Sequence, residues 1–250
     1  GTNVKLTDTV GTTAGLIGVY TAGGGKLTNN AKITGDKGYG IISNGAEVEN
    51  TSNITLTNPL TSSKPSVGIL TQAGNKITNT GTVTVGNNSV GIFGKEIVQK
   101  GIVTVGNGGT GLYSEGGNVT LDSTSKINTG SNKAVGVFTK GAGQTITASA
   151  GSTMTIGDSS FGFLNEGKGN TINSNVANQT LGNDGTYIYS SDRTGVVNNN
   201  TTLTSTGSYN YGLYSAGTVT NNADINFGTG LGNVGIYSTH GGTATNSVGR

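Results

Sequence analysis

The chain has 250 residues, 31% hydrophobic and 10% charged, with 46 glycines and a net charge of +2. Its 14 basic residues are scattered singly, so the clustered basic stripe that nucleic-acid binding requires is missing. With no cysteine and a single histidine, thiolate chemistry and a paired-imidazole metal site are excluded, and no cofactor is expected.

In chain order, the first recurrent element is a tetrad: Gly, an aliphatic, an aromatic or large aliphatic, then usually Ser or Thr. It reads Gly18-Val19-Tyr20, Gly40-Ile41-Ile42, Gly68-Ile69-Leu70, Gly91-Ile92-Phe93, Gly111-Leu112-Tyr113, Gly136-Val137-Phe138 and Gly162-Phe163-Leu164. It continues with Tyr187-Ile188-Tyr189, where Tyr replaces Gly, then Gly212-Leu213-Tyr214 and Gly235-Ile236-Tyr237. Copies lie 20 to 28 residues apart. An element returning at that period, unbroken from end to end, predicts a solenoid whose neighbouring turns supply the core. A thin core stripe per turn reconciles order with so low an apolar fraction. Disordered chains, in contrast, are rich in charge and proline, and only two prolines occur here.

After each tetrad come two further polar–apolar–polar runs. The second strand reads Lys26-Leu27-Thr28, Glu47-Val48-Glu49, Lys76-Ile77-Thr78, Thr145-Ile146-Thr147 and Thr218-Val219-Thr220. The third reads Lys32-Ile33-Thr34, Asn53-Ile54-Thr55, Thr82-Val83-Thr84, Ile102-Val103-Thr104 and Asp224-Ile225-Asn226. Three short half-buried strands per turn predict an all-β, right-handed parallel β-helix of about ten rungs, one segment over residues 1–250. Left-handed hexapeptide coils repeat at about 18 residues and leucine-rich repeats carry a Leu-x-x-Leu consensus, and neither fits.

Turn chemistry agrees with this reading. Gly23-Gly24, Gly116-Gly117 and Gly241-Gly242 follow the tetrad where positive φ is needed. Asn29, Asn50, Asn79, Asn199 and Asn221 each precede the third-strand core residue by four, and are expected to tolerate the left-handed region and to bond from turn to turn. Gln99 continues that ladder with a longer arm. Strand alternation places Val19, Ile41, Ile69, Ile92, Leu112, Val137, Ile188, Leu213 and Ile236 inward. The same alternation sends both the preceding Gly and the following Tyr20, Ile42, Leu70, Phe93, Tyr113, Phe138, Leu164, Tyr189, Tyr214 and Tyr237 outward. Each ring would then lie over the glycine column or form a docking stripe.

Candidate chemistry is sparse. His240 sits in a turn, and Glu47 and Glu49 share one strand as a solvated wall. Apart from the stretch Asp184 to Asp192, carboxylates do not recur near one another at rung spacing, so the paired acids of glycoside hydrolysis are not expected, and no catalytic or metal residue is assigned. Two regions stand out for ligand contact. Tyr189, Tyr209, Tyr211, Tyr214 and Tyr237 form the densest tyrosine cluster, offering apolar faces and hydroxyls to a sugar. The insertion containing Asn58, Pro59, Lys64 and Pro65 holds both prolines of the chain and predicts a stiff projecting loop.

The phrases Gly81 to Gly86 (Gly-Thr-Val-Thr-Val-Gly), Val90-Gly91-Ile92-Phe93 and Tyr214-Ser215-Ala216-Gly217-Thr218-Val219-Thr220-Asn221-Asn222 resemble the passenger repeats of large type V autotransporter adhesins, especially fusobacterial outer-membrane ones. The resemblance covers essentially the whole chain. It implies a rod exposed on the bacterial cell surface, carried by a C-terminal outer-membrane barrel outside this sequence and attaching to host cells or other bacteria. The implied partner is a surface glycan or protein. No ligand motif of that family carries over to individual residues here. The opening Gly1-Thr2-Asn3-Val4 has no signal-peptide pattern and residues 246–250 stop partway through a turn, so an excised segment is expected. Unpaired β edges on such a segment predict self-association. Two other readings are a polysaccharide-active β-helix enzyme of pectinase or tailspike type and an ice-binding solenoid suggested by the Thr-x-Thr runs.

Overall fold

A run that alternates apolar and polar side chains is stable only when its apolar face is covered. In this chain each run is covered by pairing with its equivalents one turn away. The computed structural model describes residues 4–6, 10–12 and 16–248, with side chains from 17 onward. Residues 1–3 and 249–250, which entered the expectation of an excised segment, lie outside it. All regular structure among the described residues is strand, and all pairing between strands is parallel, as in Ile69↔Ile92 and Val83↔Val103.

Three walls result. The tetrad wall has ten strands, from Leu16–Ala22 to Val234–Ser238. The second wall has 11, from Val4–Leu6 to Thr243–Asn246. The third has seven, from Val10–Thr12 to Thr153–Thr155, and then a separate set of three: Asn178–Leu181, Thr202–Ser205 and Ile225–Asn226. The chain is a β-solenoid of about ten turns, roughly 50 Å long at ~4.8 Å per rung. One core runs down its axis through Ile41, Ile69, Ile92, Leu112 and Leu213 from the tetrad wall. Val48, Ile77 and Ile97 from the second wall meet them there, with Ile54, Val83 and Val103 from the third.

The asparagine ladder forms, and its geometry explains the corner it occupies. Asn29 Nδ2 donates to Asn50 Oδ1 at 2.7 Å, Asn50 to Asn79 at 2.7 Å, and Asn79 to Gln99 Oε1 at 3.0 Å. A second run joins Asn199 to Asn221 at 2.7 Å and Asn221 to Asn246 at 2.8 Å. Each of these asparagine amides also reaches a carbonyl two residues on, as Asn50 does to Ser52 at 2.8 Å and Asn199 to Thr201 at 2.9 Å. That bond closes a tight corner between the second and third strands. Where the column holds Leu121 or Ala148, the corner is two residues longer and closes through its backbone, Ser125 N to Asp122 O and Ser152 N to Ser149 O. Gln99 ends the first run with its Nε2 unpartnered, because Leu121 above it offers no acceptor. None of the ladder asparagines has positive φ, which corrects the expectation of left-handed backbone there. Their amide, rather than their φ, is what the corner uses. Gly23, Gly116 and Gly241 do take positive φ, at 87°, 138° and 78°.

The glycine column also departs from expectation. Gly and the aliphatic after it are both buried, so alternation breaks at the glycine. A Cβ on Gly68 would stand 2.5 Å from Val83 Cγ1 and 2.6 Å from Gly91 O, and one on Gly91 would stand 2.7 Å from Val103 Cγ1. The column therefore faces inward, against third-wall core side chains, and the aromatic rings do not cover it. The pairing register skips the glycine, running Val67↔Val90 and then Ile69↔Ile92. The kink brings the residue before Gly and the residue two after it onto the same outer face.

Tyr187 is the exception in that column and is fully buried. Its ring meets Phe163 edge-on at 5.6 Å, and its hydroxyl crosses the core to Ser174 Oγ at 2.6 Å and Thr201 Oγ1 at 3.3 Å. Ser174 occupies the ladder column between Ala148 and Asn199. A short side chain there leaves the space that the phenol fills.

Candidate functional site: an aromatic wall

The outer face of the tetrad wall carries two columns. The first runs in unbroken register through Tyr20, Ile42, Leu70, Phe93, Tyr113, Phe138, Leu164, Tyr189, Tyr214 and Tyr237. The second, made of the residues before each Gly, includes Tyr39, Val67, Val90, Val135, Phe161 and Tyr211. Ile42, Val67 and Val135 are shaded by their neighbours but take no part in the axial core. Neither column contains a charged residue. The outer columns of the other two walls are mainly polar: Thr28, Glu49, Thr78 and Thr120 on one, broken by Val98, and Thr34, Thr55, Thr84 and Thr104 on the other, with Ile102 and Val196 the apolar members of the neighbouring columns. One wall of three is therefore uncharged and mostly apolar, its second column interrupted by Thr110 and Thr186.

Ring geometry divides this wall. Tyr189, Tyr214 and Tyr237 stack with centroids 4.6 and 5.0 Å apart and interplanar angles of 17° and 23°. Tyr211 stands edge-on to Tyr214 and Tyr237 at 6.1 Å, and Phe161 edge-on to Tyr189 at the same distance. A second group joins Phe93, Tyr113 and Phe138 at 4.6 and 4.7 Å. The structure thus brings together four of the five tyrosines singled out from the sequence. Tyr209 stands apart in a turn at φ 61°, 58% exposed, with its ring against Gly232 and no ring contact to the other four. The run Phe93-Tyr113-Phe138 is a second ring cluster, which tyrosine density alone does not pick out. Its signal was present in the tetrad itself.

The projecting loop is pinned at its base and free at its tip. Asn58 Nδ2 donates to Asp36 Oδ1 at 2.5 Å, and Ser66 Oγ donates to Asn58 O at 2.6 Å. Thr61 and Lys64 pair backbone to backbone at 3.0 and 3.3 Å, and Lys64 and Pro65 are exposed while Pro59 is half-buried. This loop precedes Leu70, whose column reaches Tyr189 five turns later, roughly 24 Å along the rod. It does not meet the tyrosine cluster.

The carboxylates that the structure perturbs serve turns. Hydrogen bonds from Asn58 and Thr57 hold Asp36 below its usual range, the backbone N–H of Thr124 does so for Asp122, and the Thr194 hydroxyl for Asp192. A carboxyl ionised so readily is a poor proton donor. Glu49 pairs with Lys26 at 2.5 Å on the second wall, and His240 sits in an exposed turn beside Thr239. A cleft at the last turn, lined by Asn221, Ile225, Ile236 and Asn246, holds one carboxylate, Asp224. Among the described residues no group of three or more His, Cys, Asp or Glu side chains is placed to hold a metal ion. On the third wall Thr82 is followed in its column by Ile102 and Lys126, which interrupts a flat threonine array.

Three phenols are raised: Tyr214, through burial first and then the neighbouring Tyr189, Tyr237 and Tyr211, and more strongly Tyr113 and Tyr187. Burial, aided by a 2.9 Å bond to Glu115, pushes Tyr113 up to about 12, and burial pushes Tyr187 up to about 12. Unfolded tyrosine ionises near 10. Above that pH the unfolded chain has lost a proton that the fold retains, so stability is fully present below about pH 10 and falls as pH rises toward about 12. For Tyr187 the loss across that window is about 2–3 kcal/mol. Denaturant titration between these pH values should show a steeper decline for the parent than for Tyr187→Phe. Parallel slopes would place the phenol in contact with solvent.

The class that this geometry defines is a parallel β-solenoid with one apolar wall. Comparison with protein-family models, with curated proteins and with solved structures gives no match.

Proposed function

We propose that this chain is a non-catalytic adhesive rod, part of a passenger displayed at a bacterial outer membrane, and that it attaches to a host or bacterial surface through its tetrad wall. The observation that carries this reading is the uncharged, mostly aromatic and aliphatic face running the length of one wall, while the other two are mainly polar and carry charges such as Glu49 and Lys126. Contiguous apolar faces larger than a few hundred Å² are uncommon on proteins that bind nothing. The type V autotransporter resemblance of the repeats supports display on a cell surface and supplies the barrel that would anchor it. Whole-cell pull-down and a glycan array with the intact chain test the reading. The variant Tyr189→Ser/Tyr214→Ser/Tyr237→Ser should lose at least about tenfold in retained cells, since these rings form the centre of the exposed cluster. Undiminished binding by the folded variant would remove the tyrosine column from the contact.

The second reading is a polysaccharide-active β-helix enzyme. The low-lying Asp36, Asp122 and Asp192 and the single carboxylate of the terminal cleft weigh against it. Release of reducing ends from a polysaccharide panel would reinstate it.

A further inference from the structure

We infer that the partner of the aromatic wall is a second copy of this chain, packed side by side along the tetrad wall. This rests on the reading of that wall as the binding face, and it names what the face binds. A sugar ring binds an aromatic side chain across the ring face. In the middle of the tyrosine column those faces are already occupied, since Tyr214 is sandwiched between Tyr189 and Tyr237 at 4.6 and 5.0 Å, nearly parallel to both, whereas the end rings Tyr20 and Tyr237 are 57% and 43% exposed. Tyr113 is flanked differently, by Phe93 edge-on at 4.6 Å and 82° and by Phe138 tilted at 4.7 Å and 42°. What the wall offers outward is a row of ring edges and aliphatic tips at the rung spacing of ~4.8 Å.

Such a row is filled best by side chains that arrive at the same interval. Another solenoid of this kind presents them at that interval, and its edges and tips enter the gaps between rungs as in a dry zipper between paired sheets. Neither column carries a charge of its own, so like-charge repulsion and charge burial are limited to the margin of the seam, where Glu115 accepts a bond from the Tyr113 hydroxyl. The area suits this partner. Ten rungs by two columns give a face roughly 50 Å by 10 Å, about 500 Å² on each copy and about 1,000 Å² in the pair. That lies at the lower limit for a specific interface, so the pair is a reversible one, with dissociation expected in the micromolar range or weaker. The polar columns of the other walls, Thr34-Thr55-Thr84-Thr104 among them, offer no comparable seam.

Sedimentation equilibrium of the intact chain over a wide concentration range tests this, with circular dichroism and thermal melting to confirm that each variant folds. The parent should pass reversibly from monomer to dimer. Leu164→Lys and Tyr113→Lys, each placing a charge on the seam, should weaken the dimer at least tenfold. Thr84→Lys, on the outer face of the third wall, should leave it unchanged. If Tyr113→Lys unfolds the protein, Leu164→Lys and Val90→Lys carry the comparison. A parent that stays monomeric throughout, or a dimer indifferent to the seam charges, overturns the proposal. The same proteins on cells separate the two readings. Stripe-dependent binding to cells or glycans by a strictly monomeric rod would sink the second-copy partner and keep the adhesive wall, whereas loss of neither association nor cell binding in Leu164→Lys would sink both.

Discussion

Ile92→Asp should unfold the turns around it, lowering stability by more than about 4 kcal/mol, while Phe93→Ser should cost only about 1–2 kcal/mol. Ile92 is fully buried, with Ile69 paired on one side and Leu112 on the other. A carboxylate there has neither water nor a cation within reach, and the solenoid core is one side chain thick in each wall. Phe93 is the next residue, yet it lies on the outer face, edge-on to Tyr113 at 4.6 Å. Its loss removes a ring contact and leaves the core intact. Urea titration of the two variants reads the difference as a shift in midpoint. Equal destabilisation would place Phe93 inside and undo the assignment of the two faces.

The second large effect concerns a single column occupied in opposite ways. Tyr187→Gly should cost about 3–5 kcal/mol by emptying the space between Phe163 and the Ser174–Thr201 corner. Tyr187→Phe keeps the ring and loses the hydroxyl, at a cost of about 1–2 kcal/mol, because Ser174 and Thr201 remain bonded to each other at 2.7 Å. The reverse change one turn on, Gly212→Tyr, should also destabilise strongly, since a Cβ there lies 2.5 Å from Gly235 O and 3.0 Å from Leu203 Cδ1. Thermal melting orders the three. A Tyr187→Gly variant as stable as the parent would mean that the ring contributes nothing to the core.

Residue types and spacings sufficed for the repeat, the three strands per turn and the inward aliphatic of each tetrad, because each follows from local chemistry. Alternation marks a half-buried strand wherever it occurs, and a return every 20 to 28 residues leaves stacking as the only way to cover it. The asparagine ladder was legible for the same reason: Asn29, Asn50 and Asn79 hold a constant offset from Ile33, Ile54 and Val83. Ring faces in the tyrosine column were not legible. Spacing places Tyr189, Tyr214 and Tyr237 in one column, but whether their faces are open depends on χ angles set by neighbours two dozen residues away.

The sequence by itself determined the architecture and the wall on which the large outward residues would gather. Only the tertiary structure decided that the glycines face inward and that Tyr187 takes their place inside. Both depend on how far the third wall's Val83, Val103 and Leu203 reach into the axis, and on the room that Ser174 leaves across it. Strand alternation carries no information about a kink. The glycine bends the strand because the side chain opposite needs the volume, and that side chain comes from another wall.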